Sequence, residues 1–134
     1  MGKKVLILPC SGIGKAFGSI NRDATFRVVD ELRPGKAETN CLSLLVMGDD
    51  DAKRQVRTSR CIAVDGCSLE CSKKLIESVG GKVTTHYRVM DFLRKHRDLK
   101  PGSITFLDEN GKKLSQLLAE EIAEKVDELE EEAE

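Results

Sequence analysis

Tryptophan is absent from the 134 residues, tyrosine occurs once and phenylalanine four times. Proteins that hold single-stranded nucleic acid stack bases on aromatic side chains. Here the lysines and arginines are scattered and lack interleaved aromatics, which argues against a nucleic-acid partner. Histidine is scarce too. His86 and His96 stand alone, one on an edge strand and one on a polar helix face, and both read as surface residues. No apolar run approaches the roughly 18 residues that cross a bilayer, so no membrane insertion is expected. The block Val5 to Leu8 is too short for a signal-peptide core. Leu6 occupies the place where N-myristoylation wants serine or threonine. A cytoplasmic location follows as the expectation.

Cysteine, by contrast, is plentiful. Five cysteines cannot all pair, and in a reducing compartment thiols point to metal or catalysis before disulfides. The chain has the usual size of one domain, expected over residues 1–134, and can bury roughly 68% of its unfolded surface. The formal net charge of −1 conceals an asymmetry: residues 119–134 carry nine acidic side chains against Lys125. The body is mildly basic and the end is an acidic helical tail. Nothing in this pattern defines a partner beyond a small anion or another protein, and the oligomeric state is open.

The run KKVLIL reads as a buried strand bounded by charge and by Pro9. After the Ser11-Gly12-Ile13-Gly14 turn, Phe17, Ile20, Ala24, Val28 and Leu32 recur at helical spacing until Arg33-Pro34-Gly35 stops the pattern. The next segment divides in two ways. A strand over Leu42 to Met47 would put Cys41 at the edge opposite Cys10; a strand over Ala37 to Cys41, followed by a helical turn, would bring Cys41 to the same edge. Propensity does not choose between them, but a shared site favours the second. A helix over Asp49 to Ser59 leads to a second buried strand, CIAV, ending in Asp65-Gly66-Cys67. The spacing predicts a helix over residues 68–79 with Leu69, Leu75, Ile76 and Val79 inward, then a half-buried edge strand over 82–89. A short helix from Arg88 and a long one from Asn110 complete the chain, the latter with Leu114, Leu117 or Leu118, Ile122, Val126 and Leu129 as its stripe. Alternating strands and helices give an α/β fold: a three-layer, Rossmann-like sandwich with a mainly parallel sheet of about four strands.

In such sheets ligands sit at the carboxyl edge, at a switch point in strand order, and Cys10 and Cys67 both end strands there. Cys67 and Cys71 are four apart across the expected helix start and would share a face. Four thiolates at about 2.3 Å from a centre make a closed zinc site, and an iron–sulfur cluster uses the same donors. Cys61, at the head of its strand, reads as a small buried hydrophobe. Asp65 serves either as an outer acceptor that orients a ligand or as a plain turn residue. Ser11, Gly12, Gly14 and Lys15 form a glycine turn at a helix start, suited to a small anion.

PCSGIGK, the lone cysteine in TNCL, and VDGC with Cys71 four residues after Cys67 together resemble the DGC-domain family, named for that Asp-Gly-Cys motif. The likeness extends over essentially the whole chain, including GGK followed by YRV and the Lys-Pro-Gly before the last helix. It implies zinc binding by Cys10, Cys41, Cys67 and Cys71, with Cys61 outside, and implies no particular reaction. VLILPCSGIGK is also similar to the opening of phosphotransferase-system IIB domains and low-molecular-weight phosphatases, in which a strand-end cysteine heads a phosphate loop. Against that stands Ala16, where the phosphatase arginine would be. A dithiol exchange reaction is the third option, although the gap between Cys67 and Cys71 is wider than C-x-x-C.

Overall fold

The computed structural model of the chain describes residues 4–10, 16–66, 69–99 and 107–133. Its centre is a sheet of four strands, β1 (Val5–Pro9), β2 (Ala37–Thr39), β3 (Arg60–Asp65) and β4 (Val83–Arg88), in the order β2-β1-β3-β4. Every pairing is parallel. The continuous apolar runs of β1 and β3 are the mark of strands covered on both faces. Val5, Ile7, Ile62 and Val64 point to one side and Leu6, Leu8, Cys61 and Ala63 to the other.

The first side is covered by α1 (Ala16–Arg27), α5 (Val89–Lys95) and α6 (Glu109–Ala133). Ile20, Ala24, Val28, Val89, Phe92, Leu114, Leu118, Ile122 and Val126 are the buried residues they supply. The helix begun by α1 widens into a π-helical turn over Val28–Leu32, closed by Arg33 N–H donating to the Val28 carbonyl five residues back, and ends before Pro34. The side chain of Phe17 lies outside the described ones. The opposite side is covered by α2 (Leu42–Met47), α3 (Asp50–Thr58) and α4 (Cys71–Ser78), through Leu45, Ala52, Val56 and Ile76. Gly48, at φ 82°, ends α2 in the left-handed region that glycine adopts without a steric cost.

The ambiguous segment after α1 thus divides in the second of the two ways, a three-residue strand and then a helical turn. Leu118 is the buried member of its pair in α6, while Leu117 is partly exposed. The acidic end is more than an appendage: Ala119, Ile122, Ala123, Val126 and Leu129 are buried in the core. Arg33 grips Asp127 with both guanidinium arms, at 2.7 and 2.8 Å, and Arg60 donates to the Leu129 carbonyl at 3.0 Å. Among the described residues no helix is long and apolar enough to cross a membrane.

One expectation about α4 is overturned. The helix begins at Cys71, not at residue 68, and Leu69 is exposed rather than inward. Glu70 takes up φ 56°, a left-handed conformation outside the helix. The cause is where the helix finds its cap: Asp65 accepts from the Ser72 and Lys73 N–H groups, so the first turn is set by a carboxylate at the end of β3. The i, i+4 argument that put Cys67 and Cys71 on one helical face therefore fails.

Cys61, fully buried, and Tyr87, partly buried against the core, give the fold a pH limit. Burial pushes the Cys61 thiol up from 9.0 to about 11. Burial, followed by the charges of Glu121, Glu128 and Glu124, pushes the Tyr87 hydroxyl up from 10.0 to about 12. Both are held neutral in the folded chain, so their contribution is complete below the ordinary values and is lost as pH rises through the raised ones. Urea unfolding is expected to show stability falling between pH 9 and 12, with Cys61→Ala lacking the lower part of the decline. Stability that stays level through this range would contradict the assignment.

Candidate metal centre

β1 ends at Pro9, and Cys10 carries the chain on by donating its N–H to the Val64 carbonyl at 2.9 Å. Its sulfur is buried and accepts two hydrogen bonds, from Gly66 N–H at 3.2 Å and from the Asn21 side-chain amide at 2.9 Å. The same Asn21 Nδ2 donates to the Val64 carbonyl at 3.2 Å. That second bond decides the amide's orientation, because turning it over would set Oδ1 against a carbonyl oxygen. Asn21 must therefore offer N–H to the sulfur. A sulfur that accepts twice is arranged for a thiolate, the form that ligates metal. Gly66 and Cys10 end neighbouring strands whose connections run to opposite sides of the sheet, so this pair marks the switch point.

Burial nevertheless pushes the Cys10 thiol up; the Gly66 and Asn21 donors pull it down by less, and the charges of Asp65 and Cys71 add to the rise. In the metal-free protein the proton therefore stays on this sulfur, and a cation is the natural group to displace it. Cys41 behaves in the opposite way. It precedes α2, is exposed, and its thiol is held below 9.0 by the Ser43 hydroxyl and by the N–H groups of Ser43 and Leu44.

Cys71 owes its place to a group of polar residues beneath it. Asp65, buried at the end of β3, accepts from Ser72 N–H at 2.7 Å, from Lys73 N–H at 3.3 Å and meets His86 Nε2 at 2.8 Å. His86 Nδ1 faces Glu70 at 3.4 Å. The Ser72 hydroxyl donates to the Leu8 carbonyl at 2.6 Å. These bonds tie the start of α4 to the ends of β1, β3 and β4. Asp65 is thus a positioning residue for Cys71 and not merely a turn former. His86, expected on the surface, is instead enclosed between two carboxylates. His96 lies against the Phe92 ring, with ring centroids 4.7 Å apart.

Cys10, Cys41 and Cys71 line one cavity of about 490 Å³ at the carboxyl edge of β1 and β2. Cys61 is at the other edge, fully buried, with its sulfur 3.4 Å from the Val56 carbonyl, as expected for a packing residue. Cys67 lies outside the described residues, as do Ser11, Gly12, Gly14 and Lys15 of the expected anion turn. Among the described residues no three cysteine, histidine or acidic side chains stand together closely enough to hold a metal ion. Sequence reasoning missed Asn21, Ser72 and His86. Asn21 had a readable signal: with Thr25 it forms a polar i, i+4 pair beside Ile20 and Ala24 on the buried side of α1, and both are fully buried.

The fold and cavity define a parallel α/β protein with a thiol-lined cleft at the carboxyl edge of its sheet, next to the switch point. The family model of the DGC domain matches residues 6–126, and the chain belongs to the DGC domain family. No curated protein and no solved structure matches it.

Proposed function

We propose that the protein binds one zinc ion at the carboxyl edge of the sheet through Cys10, Cys41, Cys67 and Cys71. The observation that carries this reading is the convergence of three cysteines, from the ends of β1 and β2 and the start of α4, on one cavity. The twice-accepting sulfur of Cys10 supports it, because N–H groups directed at a ligand atom orient it and tune the metal. Cys67 directly follows Gly66, whose N–H already reaches the Cys10 sulfur. A zinc ion bound by four thiolates supplies structural cohesion, whereas one with an open position would act as a Lewis acid. Thiolates of this kind need a reducing compartment, which favours the cytoplasm. No reaction is assigned.

Elemental analysis of untagged protein purified without chelator is expected to find about one zinc per chain, the stoichiometry of a closed four-thiolate site. Iron with sulfide would replace zinc by a cluster, and a metal-free folded protein would overturn the reading. The alternative, Cys10 as a phosphate-loop nucleophile, has less support because burial keeps its thiol protonated. In chelator-treated protein, iodoacetamide followed by mass spectrometry is expected to find Cys41 modified ahead of both Cys10 and Cys61. Cys10 labelling ahead of Cys41 at neutral pH would restore the nucleophile.

A further inference from the structure

A zinc ion occupies a small part of a 490 Å³ cavity, which lies within the range of about 300–1,000 Å³ typical of sites for small organic molecules. The lining is divided by chemistry. Phe26, Leu42, Val46 and Leu75 make an apolar wall beside the three thiols. Phe26 and Val46 are 50% and 70% exposed, although large apolar side chains are ordinarily withdrawn from water. Arg22 is the one cationic side chain lining the cavity among the described residues. Its guanidinium meets no carboxylate there; its contact is with the Ser19 hydroxyl at 3.5 Å. Other arginines of the molecule, Arg27, Arg33, Arg54 and Arg88, are paired with acidic groups.

We propose that this cavity binds a small organic carboxylate, its head on the Arg22 fork and its apolar body against Phe26, Leu42, Val46 and Leu75. Arginine presents two parallel N–H donors that match a carboxylate. The inference rests on the wall and Arg22 and requires no metal, although the head would lie in the same cleft as Cys10, Cys41 and Cys71.

The test titrates protein as purified, with its zinc content measured on the same sample, using hexanoate and 4-phenylbutyrate and the corresponding neutral amides. Calorimetry is expected to show each acid binding about tenfold or more tighter than its amide, the gain of a charge-assisted bidentate pair. Arg22→Gln is expected to erase that preference while leaving amide affinity unchanged, and Arg22→Lys to keep part of it. Phe26→Ala is expected to weaken acid and amide alike. Equal affinity for acid and amide, a preference that survives Arg22→Gln, or no binding of either acid would overturn the proposal. Zinc without acid binding would sink this inference alone, and acid binding without zinc would sink the zinc reading alone.

Discussion

Replacing Cys10 by serine is expected to weaken zinc binding by about a hundredfold or more. Structural zinc sites in small domains are worth about 10–16 kcal/mol, so one thiolate in four carries about 3 kcal/mol, which is that factor in Kd. Of the four proposed ligands, Cys10 is the one whose loss should cost most. Its sulfur is buried and held by Gly66 N–H and Asn21 Nδ2, so its position is fixed by the fold before any metal arrives. A serine oxygen would accept the same two N–H groups, but it would stay protonated near neutral pH and is a poor zinc donor. Competition with a chromogenic chelator measures the change. Cys61→Ser serves as the control and should leave zinc affinity unaltered, since Cys61 is at the opposite edge of the sheet. Unchanged zinc affinity in Cys10→Ser would remove Cys10 from the site and the four-thiolate reading with it.

Asp65→Ala is expected to destabilise the fold by about 2 kcal/mol, with a midpoint shift in urea as the readout. A buried carboxylate is replaced by nothing, leaving Ser72 N–H, in a fully buried residue, without its acceptor and His86 without its nearest partner. Losing a helix cap costs about 0.5–2 kcal/mol, and stranding a buried donor costs about 1–3 kcal/mol. These costs overlap, because the cap and the stranded donor are the same bond. Since domains are stable by only about 5–15 kcal/mol, the variant should stay folded at room temperature but melt early. Asp65→Asn should lose less, since its Oδ1 can still accept from Ser72 N–H. The substitution also reaches the cleft: with its cap gone, the first turn of α4 loosens and Cys71 no longer holds station beside Cys10. A destabilisation below about 0.5 kcal/mol, the scatter of ordinary surface changes, would show that α4 is anchored by other contacts.

These two residues illustrate different routes by which sequence leads to a site. Cys10 was conspicuous, since a cysteine after an apolar run and Pro9, ahead of a glycine turn, belongs at the end of a strand. Asp65 was visible as part of Asp-Gly-Cys, but its work was hidden. Its partners are seven, eight and 21 residues away, and no short-range pattern links a carboxylate to a helix that starts after an intervening loop. The mistaken helix start has the same origin. Leu69, Leu75, Ile76 and Val79 fit a helical stripe on paper, yet the Asp65 cap begins the helix at Cys71 and leaves Leu69 in water.

By itself the sequence determined the class of fold, the parallel sheet, the separation of Cys61 from Cys10 and the long amphipathic last helix. Each of these follows from local hydrophobic periodicity and from the chain's need to cover both faces of buried strands. Only the tertiary structure decided that Cys41 shares a cavity with Cys10 and Cys71, that Asn21 offers its N–H to the Cys10 sulfur, that His86 is enclosed between Asp65 and Glu70, and that Arg22 meets no carboxylate among the described residues beside an apolar wall. Those relations join residues far apart in the chain, and they are set by strand order and crossover geometry, which periodicity along a single segment does not encode.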